Sequence, residues 1–230
     1  MFWGYLLAFA VIPVAPLIRA PVQMKEELEE RCGEYLMKWE RRKALIKEIN
    51  ARRTSMVNGT QDNKKYTLLP IGENVLEMQW SCYLEHLASD ALNKTKDRCP
   101  TEPPTPNGMT GFFDYRGKIE GDVGLDIMKH WLSEIDRTKM PLNEHWQSPV
   151  WYRGVNRNYS NLVRHDSWRI GCAELQCNGE KTAMFCLADK PPLQKDVDVV
   201  YYYGKDWLET FLGSQRSLQT GILRLPRLVR

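Results

Sequence analysis

The sequence predicts an α+β sandwich. Three observations predict it: helical apolar periodicity up to about residue 136, short β-type runs around an Asn-Gly pair after Arg169, and six cysteines behind an apolar N-terminal run. At 230 residues, one domain with short extensions is the natural organisation. The formal charge of +3, from 32 basic and 29 acidic residues, is too balanced for a nucleic-acid or strongly acidic partner.

The chain from Phe2 to Ile18 is almost wholly apolar, which suits the core of a signal peptide over residues 1–20, cut near Ala15 or Ala20. An uncleaved membrane anchor is the alternative. The segment before the apolar run lacks Lys and Arg, and Pro13 and Pro16 interrupt it. Behind such a leader, Cys32, Cys82, Cys99, Cys172, Cys177 and Cys186 read as three disulfides. Zinc is the competing reading, but Cys172 and Cys177 lack the paired C-x2-C knuckles of a structural zinc site. Sequons at Asn58, Asn93 and Asn158 agree with export.

Residues 24–56 carry a helical pattern, with Leu45, Ile46 and Ile49 on one face, and Gly59 and the polar stretch after it end the helix. A second helix follows Leu84, Leu87, Ala88, Ala91 and Leu92. Residues 99–108 hold four prolines and form a loop. A third helix spans about 122–136, with Val123, Ile127, Trp131 and Ile135 on one face. Glu134 joins that stripe, where a buried carboxylate needs a partner, or it sits at the edge and reaches water. Arg169–Cys177 and Lys181–Leu187 are β-type runs, and Asn178-Gly179 between them signals a tight hairpin. Tyr201–Tyr203 end a further strand. The tail carries Arg216, Arg224, Arg227 and Arg230 among leucines, either packed on the domain or touching a membrane surface.

The run Asn158-Tyr159-Ser160-Asn161-Leu162-Val163-Arg164, five residues, then Ile170-Gly171-Cys172-Ala173 and Cys177 resembles the signature of the CAP superfamily, the SCP domain. The family pattern is H-Y-[ST]-Q-x-V-W followed by [IVL]-G-C-[AG] and a second Cys. Glu48–Arg53 is similar to its H-N-x-x-R segment. Leu76–Ala88 is similar to the worm-type M-x-W-x-C-x-L-E-x-x-A segment. Phe185-Cys186-Leu187 is similar to the F-C-x-Y strand, with Ala188 at the Tyr. The resemblance is strongest to helminth venom-allergen-like secreted proteins.

The resemblance implies an α-β-α sandwich, with a three-stranded antiparallel sheet flanked by helices. It implies a leader over 1–20, an extension over 21–35, the CAP domain over 36–190 and a C-terminal extension over 191–230. It also implies the pairings Cys172–Cys186, Cys99–Cys177 and Cys32–Cys82, the first of which agrees with cysteines on paired strands.

Members of the family carry a cleft tetrad of two His and two Glu, able to hold a cation. By the same resemblance, Phe112 stands at the first Glu, Glu134 is the second Glu, and Asn158 replaces the second His. No His lies between Cys99 and Lys129 to serve as the first. Gly72-Glu73-Asn74 mimics the family's G-E-N but lies too early in the chain. His86, His130, His145 and His165 have surface or packing roles.

One carboxylate and one amide do not make a zinc site, and an amide cannot serve as a general base near neutral pH, so no metal, cofactor or catalytic residue is expected. No G-x-S-x-G, H-E-x-x-H or P-loop stands in the sequence. At a helix start, Asn158 would cap by accepting backbone N–H bonds, leaving Asn58 and Asn93 as the better glycan acceptors.

The expectation is therefore a secreted, extracellular, non-enzymatic protein that engages an extracellular protein partner through surface loops and the cleft rim. The 99–108 loop and the Trp146–Trp151 segment are its candidate contacts. A lipid or sterol carrier is the alternative, and it requires an apolar pocket between helices.

Overall fold

A computed structural model describes residues 32, 37–65, 67–94, 102–117, 120–142, 149–177 and 181–203. The expected leader, the Asn178-Gly179 turn, Cys99, His145, Trp146 and the basic tail lie outside the described residues. No described helix is long and apolar enough to cross a membrane.

Helix α1, Trp39–Val57, buries Arg42, Leu45, Ile49, Arg53 and Met56 at helical spacing. It ends where Gly59 takes a positive φ of 66°, a conformation that costs glycine nothing. Strand β1 is Gly72–Glu73 and β2 is Gln79–Trp80. Helix α2, Cys82–Asn93, opens with the Ser81 hydroxyl accepting from the Leu84 N–H. Strand β3 is Thr110–Gly117. Helix α3, Val123–Leu132, is capped by Asp122, which accepts from the Leu125 N–H. Then come α4, Glu134–Arg137, β4, Val150–Trp151, and α5, Arg157–Val163. Strands β5, Arg169–Cys177, β6, Lys181–Ala188, and β7, Val199–Tyr203, complete the order.

The central sheet runs β2-β5-β6-β3. β3, β6 and β5 are the expected antiparallel triplet, and β2 adds a short parallel strand that the sequence reading lacked. A second small sheet, β1-β7-β4, was also unforeseen. Cys172 faces Cys186 across β5 and β6, and the two are disulfide-bonded. Cys32 is bonded to Cys82, as the resemblance implied. Cys177 is also disulfide-bonded, and the Cys99 expected opposite it lies outside the described residues.

Strand alternation sends residues to two cores. On one face Ala173, Ala183, Phe185 and Leu187 meet Leu84, Ala88, Ala91 and Leu92 of α2. On the other, Phe112, Cys172, Met184 and Cys186 meet α1, α3 and α5 through Leu45, Ile49, Ile127, Trp131 and Leu162. Each large apolar side chain so enclosed contributes about 1.5–3 kcal/mol. Gly171 sets the α2 spacing: a Cβ there would stand 2.2 Å from the Glu85 backbone nitrogen and 2.6 Å from the Ser81 carbonyl oxygen.

Buried polar groups fix how the layers meet. The Asn50 amide brackets the chain at Met78, donating to its carbonyl at 2.9 Å and accepting from its N–H at 2.8 Å. Arg53 donates to the Leu162 carbonyl at 3.0 and 2.8 Å and to the Leu76 carbonyl, and burial pushes its guanidinium down to about 10. Glu85 is fully buried. Its carboxylate accepts from Trp80 Nε1 at 2.6 Å, from the Met37 N–H at 2.8 Å and from Arg42 Nε at 3.2 Å.

Glu85→Ala strands the Arg42 charge, which is 2% exposed, and should cost about 3–5 kcal/mol in urea unfolding. Trp80→Phe removes a single N–H and should cost about 1–3 kcal/mol. Equal losses from the two substitutions would show that the buried pair does not carry the difference.

Candidate functional site

The third helix is interrupted one residue before the candidate carboxylate. The Ser133 hydroxyl donates to the His130 carbonyl at 2.9 Å, a local bond that competes with the helical ladder. Arg137 holds the break, donating to Ser133 Oγ at 2.6 Å and to the His130 carbonyl at 3.2 Å. The single helix expected over 122–136 is therefore two. Ile135 continues the buried stripe, while half-buried Glu134 opens α4 and reaches α5.

α5 begins after two left-handed residues, Gly154 with φ 78° and Asn156 with φ 52°. Asn156 Nδ2 ties this turn to the Thr138 carbonyl at 2.7 Å, which brings the first turn of α5 onto α4. Glu134 Oε2 then accepts from the backbone N–H of Asn158 at 2.8 Å and of Tyr159 at 3.0 Å. Oε1 accepts from Asn158 Nδ2 at 2.8 Å. The expected capping role of Asn158 is corrected: the Asn158 side chain donates, and Glu134 supplies the oxygens that satisfy the helix start. A carboxylate outcompetes an amide oxygen there, because a charged acceptor forms the stronger bond to backbone N–H groups.

With its NH2 on Glu134, Asn158 turns its oxygen to Arg157, whose Nη1 donates to Oδ1 at 3.1 Å. Arg157 Nη2 donates to the Gly111 carbonyl at 3.1 Å, on β3 beside Phe112. One relay thus runs from β3 through Arg157 and Asn158 to Glu134. Phe112 itself is fully buried, its ring 5.7 Å from that of Trp131. Tyr152 is buried nearby. Burial pushes its phenol up, Arg157 pulls it down and Glu134 pushes it up, so both charges act at this ring.

Of the predicted site residues, Glu134 and Asn158 are in direct contact, while Phe112 belongs to the core beneath them. Sequence reasoning missed Arg157. Its one sequence signal is a basic residue beside the substituted histidine position. His130 is exposed on α3, His86 is exposed on α2, and His165 packs edge-on against Tyr202 at 5.0 Å.

The groove between α1 and α3 is polar, with Glu48, Arg52, Lys129, His130 and Ser133 among its lining residues. A shallow notch of 240 Å³ between α1 and residues 75–77 is more apolar, through Val57, Val75 and Leu76. In the 102–108 loop Pro103 is buried, while Glu102, Pro104, Thr105, Asn107 and Gly108 are exposed. Trp151 is half-buried in β4. Asn58 and Asn93 are exposed at helix ends, whereas Ser160 of the third sequon is fully buried.

The profile of the cysteine-rich secretory protein family, CAP, matches residues 46–188. No match is found among the curated proteins. Among solved structures the chain is similar to BmVAL-1, at 20% identity and a TM-score of 0.59 over 73% of this chain and 84% of that one. It is similar to NaASP2 with Zn2+, at 17% identity and a TM-score of 0.63 over 77% and 93% of the two chains. Hookworm Platelet Inhibitor matches at 21% identity and a TM-score of 0.52 over 75% and 80%.

The zinc in the NaASP2 structure invites a test of the residues present here, and they do not fit a divalent cation. A carboxylate offers about four lone-pair directions, and three at Glu134 are taken by N–H donors. Asn158 turns its NH2 toward that carboxylate and its oxygen toward a guanidinium. Phe112 offers no donor. Glu134→Ala should therefore cost about 2 kcal/mol in urea unfolding, the scale of a lost charged cap. Glu134→Gln, which keeps one acceptor, should cost less. A neutral Glu134→Ala would remove the capping role.

Proposed function

We propose, from the premise that this chain belongs to the CAP or cysteine-rich secretory protein family, that it is a secreted, non-enzymatic binding protein that engages an extracellular protein partner through its surface loops. The observation that carries this reading is the engagement of the cleft. Glu134 is spent on α5, Arg157 spans to β3, and Phe112 is core. Phe112, Glu134 and Asn158 are taken as the counterparts of the family's tetrad, with its donor chemistry withdrawn. Among the described residues there, Asn158 cannot activate water, since an amide is no general base near neutral pH, and the Glu134 carboxylate is engaged by three N–H donors.

What remains for function is shape. The exposed positions of the 102–108 loop sit on a disulfide-bonded, two-core frame, and loops held by a rigid scaffold are the usual seat of recognition. Hookworm Platelet Inhibitor, similar in fold, is by its name an inhibitor, which agrees with a role in binding. Export is supported by the apolar leader and the two described disulfides. The lipid-carrier alternative gains no specific support. The α1–α3 groove is charged, and the apolar notch at 240 Å³ falls below the about 300–1,000 Å³ of ordinary ligand pockets.

The test is an array of extracellular proteins probed with the glycosylated chain, with and without chelator. A partner should bind in both conditions and be lost with Pro104→Ala and Asn107→Ala combined. No partner at micromolar concentration, or binding that chelator abolishes, would count against the proposal. Calorimetric titration of the wild type with zinc should show no tight site, and a tight one would reverse the reading of the cleft. In the exported protein, intact mass should drop by one glycan with Asn58→Gln and with Asn93→Gln. No glycan should be lost with Asn158→Gln, because the Asn158 amide is bonded to Glu134 and Ser160 is buried.

A further inference from the structure

Strand β3 is an edge of the central sheet, paired to β6 along all eight of its residues. An edge strand leaves every second residue's N–H and C=O facing away from its partner, where a second chain can add by main-chain hydrogen bonds. This edge is rich in residues that favour such pairing: Phe113 and Tyr115 lie on one face with rings 6.5 Å apart, and Tyr115 is 46% exposed.

Three of the outward groups are nonetheless occupied by side chains of the same molecule. The Gly111 carbonyl accepts from Arg157 Nη2 at 3.1 Å. Four residues on, and so on the same side, the Tyr115 N–H donates to Asp114 Oδ1 at 2.8 Å, and the Tyr115 carbonyl accepts from Arg116 Nη1 at 3.0 Å. The last two bonds are locked together, because Arg116 Nη1 also pairs with Asp114 Oδ1 at 2.9 Å. The guanidinium reaches α3 as well, with Nε 3.6 Å from Asp126 Oδ2.

We propose that Asp114 and Arg116 form an edge guard that stops β3 from pairing with β3 of a second copy of this chain. The guard acts twice. It fills the donor and acceptor of Tyr115, and it sets a charged pair where an incoming strand would need to lie flat. A second copy is the occupant being excluded, because self-complementary antiparallel pairing needs only the same edge on both molecules. The inference does not rest on the proposed function, since it concerns the backbone of β3.

The test replaces the pair by strand-forming neutral residues, Asp114→Thr with Arg116→Thr, and follows mass by light scattering over rising concentration. Wild type should stay at the mass of one chain. The double variant should shift toward a dimer or larger species. Adding Tyr115→Pro, which removes the outward N–H, should return it to one chain. Near-UV circular dichroism checks that each variant is folded, and Arg116→Gln alone should shift the same way where the double variant is not. A folded variant that stays monomeric overturns the proposal. So does association that Tyr115→Pro leaves unchanged, and so does a wild type that already associates and is dispersed by Tyr115→Pro.

Discussion

The join between α4 and α5 depends on one carboxylate. Glu134 accepts three N–H bonds across it, two from the backbone at the start of α5. A helix of seven residues has no length from which to draw its own stability, and its first N–H groups need outside acceptors. The same carboxylate cannot also serve as a free ligand. Asn158 completes this arrangement: its amide donates to Glu134 and accepts from Arg157 at once. These bonds engage the acid as a structural element.

That conversion sits on a frame whose layers are registered by buried polar bonds as much as by apolar packing. Apolar burial is non-directional, so it fixes that α1 covers the sheet but not where along it. Asn50 supplies the position by pairing both main-chain groups of Met78, and Arg53 does so by reaching the carbonyls of Leu76 and Leu162. Asn161 extends the set, donating to the Arg157 carbonyl at 2.8 Å and accepting from the Leu193 N–H at 3.0 Å. Two of these anchors, Arg53 and Asn161, involve α5. The helix that Glu134 caps is therefore held at several points, which keeps Arg157 and Gly111 within hydrogen-bonding distance.

Much of this was legible in the sequence, for reasons of period and spacing. The stripes of α1 and α2 and the β5–β6 pairing follow from local patterns that repeat at 3.6 or 2 residues, while the Cys172–Cys186 pair was what the resemblance implied. The resemblance reached further, pointing to Glu134 and Asn158 as neighbours. Four features were not legible. The break at Ser133 comes from one hydroxyl choosing a local carbonyl, and no periodicity records that choice. β1, β2 and β4 are two residues each, too short to alternate. The direction of the Asn158 amide depends on what faces it. The partner of Arg157 carried no local signal, because it lies on β3, 46 positions away in the chain.

Gly111 shows how the cleft and the sheet edge constrain each other. Its carbonyl points outward from β3, and an outward carbonyl on an edge is a weakness unless something occupies it. Arg157 occupies it, and by doing so places a positive charge beside the amide that Glu134 holds. A divalent cation at this point would have to displace that guanidinium, which would uncover the edge as well as cost the relay. The charge that fills the cleft and the bond that closes the strand come from one side chain. The relay to Asn158 and the cover on the Gly111 carbonyl are thus two consequences of the same geometry.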